Sequence, residues 1–194
     1  VTAFPYVVPN SVSGSVCRAL MLGGFNTTVC SDFGASLLSV GLAAAAIESG
    51  LVSTVICGGT DEFSADRARD IERSGVLADA GLTALGEGAA MVVLEHEEDA
   101  LSRGREPLAF VRSIAYSSET SRAFGADNTA QRLQDTVERA LESAKIPVSE
   151  IAEICATPLC GRERNAIAAL FPDSKGRLCD TVPLIGFTES CYPL

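Results

Sequence analysis

The stretch Phe33 to Ile47, FGASLLSVGLAAAAI, is apolar on nearly every side of a helical projection, and it constrains the fold more than any other segment. A helix without a polar stripe needs covering on most sides, so the chain has to build layers around it. Ser31 and Asp32 stand where a cap is expected, Gly34 and Gly41 predict close packing, and Gly50 ends the helix as a C′ residue does. Leu51 to Cys57 is a β-branched apolar run that predicts a buried strand, closed by a turn at Gly58, Gly59 and Asp61. Thr27 to Cys30 reads as a strand on the other side. Strand, helix and strand together predict a βαβ unit.

The pattern continues on both sides of this unit. Asn10 is a good N-cap for a short helix over Ser11 to Leu22. Asp61 to Asp79 is polar and charged and reads as a surface helix or loop. There Arg67, Arg69 and Arg73 alternate with acids, chiefly as a solvated face. In LGEGAAMVVLEHEED a glycine turn leads into a strand, Ala90 to Glu95, and then into acids suited to a helix start. Gly86, Glu87 and Gly88 form no phosphate-binding loop, because a strand and not a helix follows them. Leu108 to Ser117 alternates like a strand. Asp127 to Ala144 carries Leu133, Val137, Ala140, Leu141 and Ala144 on one stripe, as a helix packed on a sheet would. Ile151 to Ala156 predicts a strand, Arg162 to Phe171 a helix and Thr181 to Ile185 a last strand. The alternation predicts an α/β fold with a largely parallel sheet. Two related halves, 1–96 and 97–194, meet near Glu95 to Pro107 in one compact unit.

Composition removes several function classes. A formal charge of −10 repels nucleic acid and anionic membranes, and the apolar stretches are too short or too rich in Ala to span a bilayer. No basic-then-apolar leader opens the chain. Seven Cys (Cys17, Cys30, Cys57, Cys155, Cys160, Cys179, Cys191) without CxxC pairs point to a reducing cytoplasm rather than a disulfide framework. With His96 as the single His, standing among acids at a strand end, the expectation is no metal, no cofactor and a surface role for that imidazole.

Four segments carry a family likeness. PNSVSGSVCRALMLGGFNTTV, GLAAAAIESGLVSTVICGGTDEF, LGEGAAMVVLE and ESAKIPVSEIAEICATPL, in that order, resemble the β-ketoacyl synthases of the thiolase fold over nearly all of the chain. The resemblance implies a thiolase-like layered α/β fold of two related βαβ halves with mixed, mostly parallel sheets, incomplete at both ends. Missing strands would leave sheet edges and apolar helix faces uncovered, with poor stability in isolation unless another chain supplies them. The resemblance further implies a Cys nucleophile at the strand-to-helix elbow, where helix amides ready a thiolate for acyl transfer. Counted from Gly58 and Gly59 on one side and from Asn26 to Val29 on the other, that position is Phe33. A first His is implied where ICATPL has Ala156 and Thr157, a second His where Phe187 stands between Gly186 and Thr188, and a Lys at Val182. A phenyl ring carries no acyl thioester. Losing such a set costs on the order of 10⁶ in rate in hydrolase triads.

These substitutions imply a chain with no catalytic residue of its own, similar to the chain length factor that pairs with an active ketosynthase in fatty acid, polyketide or polyene biosynthesis. Phe33 and Phe187 would then wall the pocket, or be ordinary packing in a vestigial site. The implied partners are the ketosynthase subunit, in a hetero- or homodimer, and indirectly an acyl carrier protein. Arg67, Arg69 and Arg73 are the candidates for any local docking of that acidic carrier. Two other readings are an acyltransferase or decarboxylase using Cys30, held inert if buried in its strand, and an interaction module outside acyl-chain synthesis.

Overall fold

The computed structural model describes residues 8–31, 34–75, 78, 84–118, 129–156, 161–172, 178–179 and 186–188. Helix α1, Ser11–Leu20, starts at Asn10 as the sequence indicates, but the Asn10 side chain makes no cap bond. Instead its carbonyl accepts the Ser13 hydroxyl at 3.0 Å. No residue of α1 is buried. Its polar side chains reach the next segment, Ser13 Oγ lying 3.1 Å from Thr28 Oγ1 and Asn26 Nδ2 donating to Cys17 Sγ at 3.1 Å. The strand expected over Thr27 to Cys30 does not form. Its β-type residues lack a ladder partner among the described residues, and without one a strand has no hydrogen bonds to gain.

Helix α2, Ala35–Glu48, is the apolar run. Its N-cap is Gly34, without a side-chain bond, so Ser31 does not cap it; Asp32 and Phe33 lie outside the described residues. At the other end Gly50, with φ +73°, donates to Ile47 and Leu51 donates to Ala46, the paired bonds of a Schellman stop. Val40 and Ala43 pack on Cys57, with Val55, Leu94 and Ile114 around them. Gly41 permits the approach of Ile114, whose Cγ2 lies 3.3 Å from where a Cβ would stand; among the described residues nothing lies within 4 Å of a Cβ on Gly34, so among them the expectation of close packing holds at Gly41 and not at Gly34.

Strand β1, Thr54–Asp61, runs through Gly58 and Gly59 instead of turning there. It pairs antiparallel with β2, Gly88–Glu95, from Thr54 opposite Glu95 to Asp61 opposite Gly88. A Cβ on Gly58 would stand 2.1 Å from the Ala90 carbonyl oxygen, so Gly58 serves a close strand approach and not a turn. The strand, helix and strand unit read from Thr27 to Cys57 is thereby corrected: α2 packs on an antiparallel ladder.

Helix α3, Ala65–Ser74, is capped by Ser64, whose side chain accepts the Arg67 N–H. On its surface Arg69 pairs with Asp66 and Arg73 with Asp70. The short helix α4, Glu97–Ser102, follows exposed His96 and carries Glu97, Glu98 and Asp99 in its first turn, as the sequence indicates. The segment Leu108 to Ser117 forms no strand. It is held from the side by Ser113, which donates to the Ala140 carbonyl at 2.7 Å. Helix α5, Thr129–Ala144, has its apolar stripe half-buried and packs on helix α6, Gly161–Leu170. Asp127 and Asn128 lie outside the described residues. A 3-10 turn, Val148–Glu150, leads to β3, Ile154–Cys155, which pairs in parallel with β4, Leu178–Cys179. The strand expected over Thr181 to Ile185 falls outside the described residues. Among the described residues no helix is long and apolar enough to cross a membrane.

Candidate functional site

Of the residues at the implied catalytic positions, Phe187 has the most defined setting. Its N–H donates to the Ala84 carbonyl at 3.0 Å and its own carbonyl accepts the Gly86 N–H at 3.0 Å, so residues 186–188 are bridged in parallel to Leu85. Gly186 makes the approach possible. It has φ +78°, and a Cβ there would stand 2.8 Å from the Gly86 nitrogen. Phe187 is 1% exposed. It faces a cleft formed by the C-terminal end of β1 at Asp61, the turn Glu62 to Ser64, Arg67 of α3, and Leu85 with Gly86. The free volume is about 10 Å³, room for about one water. Across it, the Phe63 N–H donates to Glu87 Oε2 at 3.1 Å.

A phenyl ring offers neither a proton nor a lone pair, so at this position it can only exclude water and fill space. Next to it Thr188 is buried, and its hydroxyl, like that of Ser36 in the first turn of α2, has no hydrogen-bond partner among the described residues. Ala156 follows β3 and is half-buried, with a methyl group that cannot assist proton transfer. Phe33, Thr157 and Val182 lie outside the described residues.

The thiols differ from expectation. Cys30 is exposed and in no strand, which removes burial as the reason for holding it inert. Cys57 is buried, and burial pushes its thiol up from the ordinary range. Arg69 and Arg73 are engaged by acids of their own helix, while Arg67 alone of the three borders the cleft. Sequence reasoning missed Leu85, Gly86, Glu87 and Phe63 as neighbours of Phe187. Their approach joins segments far apart in the chain, and the one local signal was the glycine pair flanking Glu87.

No protein-family model matches the chain. It is 33% identical over 152 residues to the polyketide synthase GfsA of Streptomyces halstedii, a match that takes in 72% of this chain and 2% of that protein. Among solved structures, the ishigamide ketosynthase/chain length factor superposes with a TM-score of 0.83 at 26% identity, over 99% of this chain and 53% of that one. A beta-ketoacyl synthase from Burkholderia phymatum STM815 superposes with a TM-score of 0.80 at 24% identity, over 98% of this chain and 52% of that one. The chain thus spans about half the length of these solved structures, and with the layered α/β core described above it is a β-ketoacyl-synthase-like chain of the thiolase fold.

Proposed function

We propose that the chain acts as a non-condensing, chain-length-factor-like subunit, which pairs with an active ketosynthase in a cytoplasmic heterodimer of fatty acid, polyketide or polyene biosynthesis. The observation that carries this reading is Phe187, buried to 1% exposure in the Gly-Phe-Thr step where the family resemblance implies a His. Phe33 at the implied nucleophile position, with Ala156, Thr157 and Val182 at the others, supports it from sequence. The likeness to the ishigamide ketosynthase/chain length factor supports the pairing. In this reading residues 1–96 and 97–194 belong to the two related halves of the fold. Growing acyl chains reach the catalytic subunit on an acyl carrier protein, and the aromatic rings on this chain limit their growth sterically.

The test is reconstitution with the ketosynthase. Phe187→Ala or Phe33→Ala is expected to lengthen the product, and copurification is expected to give a near-stoichiometric pair with a large apolar interface. Unchanged product length in both variants would make the rings vestigial packing. The exposure of Cys30 favours a second reading, acyl transfer by that thiol. Simple alkylation does not separate the two readings, because an exposed thiol reacts in either case; transfer of an acyl group from a thioester to Cys30 does.

A further inference from the structure

The cleft over Phe187 has two walls from separate parts of the chain, and the Glu87 side chain bonds across them. One wall is the turn Glu62 to Ser64 between β1 and α3; the other is Leu85 with Gly86, just ahead of β2. All three turn residues are exposed, Phe63 to 51%, so burial contributes little to holding the turn in place. Glu87 reaches across from the other wall. Its Oε2 accepts the Phe63 N–H at 3.1 Å, and the adjacent Gly86 N–H donates to the Phe187 carbonyl at 3.0 Å. Phe63, Glu87, Gly86 and Phe187 therefore form one connected line that links the two walls of the cleft. A bond from a backbone N–H to a carboxylate is among the stronger hydrogen bonds, because the acceptor carries the charge.

We infer that Glu87 is a positioning residue whose carboxylate latches the Glu62 to Ser64 turn against Leu85 and Gly86, and so sets the width of the cleft over Phe187. This rests on the reading of Phe187 as a wall of an acyl-chain pocket. With the latch closed the cleft has room for about one water. With it released, the turn is free to swing outward with Phe63, and the space over the Phe187 ring grows toward what additional methylene units of an apolar acyl chain need. Glu87 itself touches no acyl group. Its effect passes through the turn.

The experiment uses the chain in its complex with the active ketosynthase and compares Glu87→Ala, Glu87→Gln, Phe187→Ala and the milder Phe187→Leu. Two quantities are read: hydrogen exchange at the Phe63 amide and the distribution of product lengths. Glu87→Ala is expected to exchange at Phe63 at least about fivefold faster than the parent and to shift products longer, in the direction of the Phe187 variants. Glu87→Gln, whose amide oxygen accepts the same bond, is expected to stay within about twofold of the parent in exchange and to keep its product distribution. An unchanged exchange rate in Glu87→Ala overturns the latch. So does faster exchange with unchanged products, in a complex where Phe187→Ala or Phe187→Leu lengthens them. Unchanged products in both folded Phe187 variants would instead remove the pocket reading, and the latch with it.

Discussion

Cys57 sits in β1 against Val40 and Ala43, where leaving water disfavours the thiolate and pushes the thiol up from the ordinary 9.0. The folded chain therefore keeps this proton while the unfolded chain gives it up. The resulting stability is fully present below pH 9.0 and is lost as pH rises through the folded value. Between about pH 8 and 10, Cys57→Ala is expected to lose less stability than the parent in urea melts; equal losses would contradict the assignment. Gly58 is decided by contact instead of charge. A methyl group 2.1 Å from the Ala90 carbonyl oxygen must force the two strands apart, so Gly58→Ala is expected to destabilise by about 3 kcal/mol, and a change under about 0.5 kcal/mol would refute the close approach. Sequence marked both residues, placing Cys57 in a buried strand as found but reading Gly58 as a turn. Two adjacent glycines followed by an acid look the same in a turn and in a strand that lies tightly against its neighbour. The identity of Phe187 was legible, whereas its bridge to Leu85 was not, because nothing near either residue encodes the other.

Helices were the legible elements, since a helix satisfies its own backbone and leaves its period in the local sequence. The apolar run, its glycine stop, the half-buried stripe of α5 and the acidic start of α4 all stand where the pattern put them. Strands depend on a partner that the segment itself does not name. Thr27 to Cys30 and Leu108 to Ser117 have strand-like residues and no ladder among the described residues, and β1 found an antiparallel neighbour where a parallel sheet was expected. Within α2 the two sides have different weight. Val40 is buried in the cluster with Ala43 and Cys57, while Leu37 is 45% exposed. Val40→Ala is expected to cost about 2 kcal/mol and Leu37→Ala under about 0.5 kcal/mol in chemical denaturation of the chain alone; the opposite order would mean that α2 presents its other side to the ladder.

At the scale of the whole molecule, among the described residues, the ladder is covered by α2 on one face. Val55, Cys57 and Leu94 face the helix, while Ile56, Met91 and Val93 on the opposite face are exposed, Val93 to 59%. Adjacent apolar side chains on an open sheet face attract any apolar surface available. The chain alone is therefore expected to bind an anilinonaphthalene dye, and Met91→Lys with Val93→Lys to reduce that binding severalfold with the far-ultraviolet circular dichroism unchanged. Undiminished binding would place the open surface elsewhere. Partner identity and product length leave no local trace in a sequence, because they are properties of an assembly. The claim that most of the functional account depends on is chemical: no side chain at the implied nucleophile position can hold an acyl group. The direct measurement is intact-mass analysis of the purified chain after incubation with an acyl thioester. The account predicts an unchanged mass; a stoichiometric acyl adduct on this chain would contradict it.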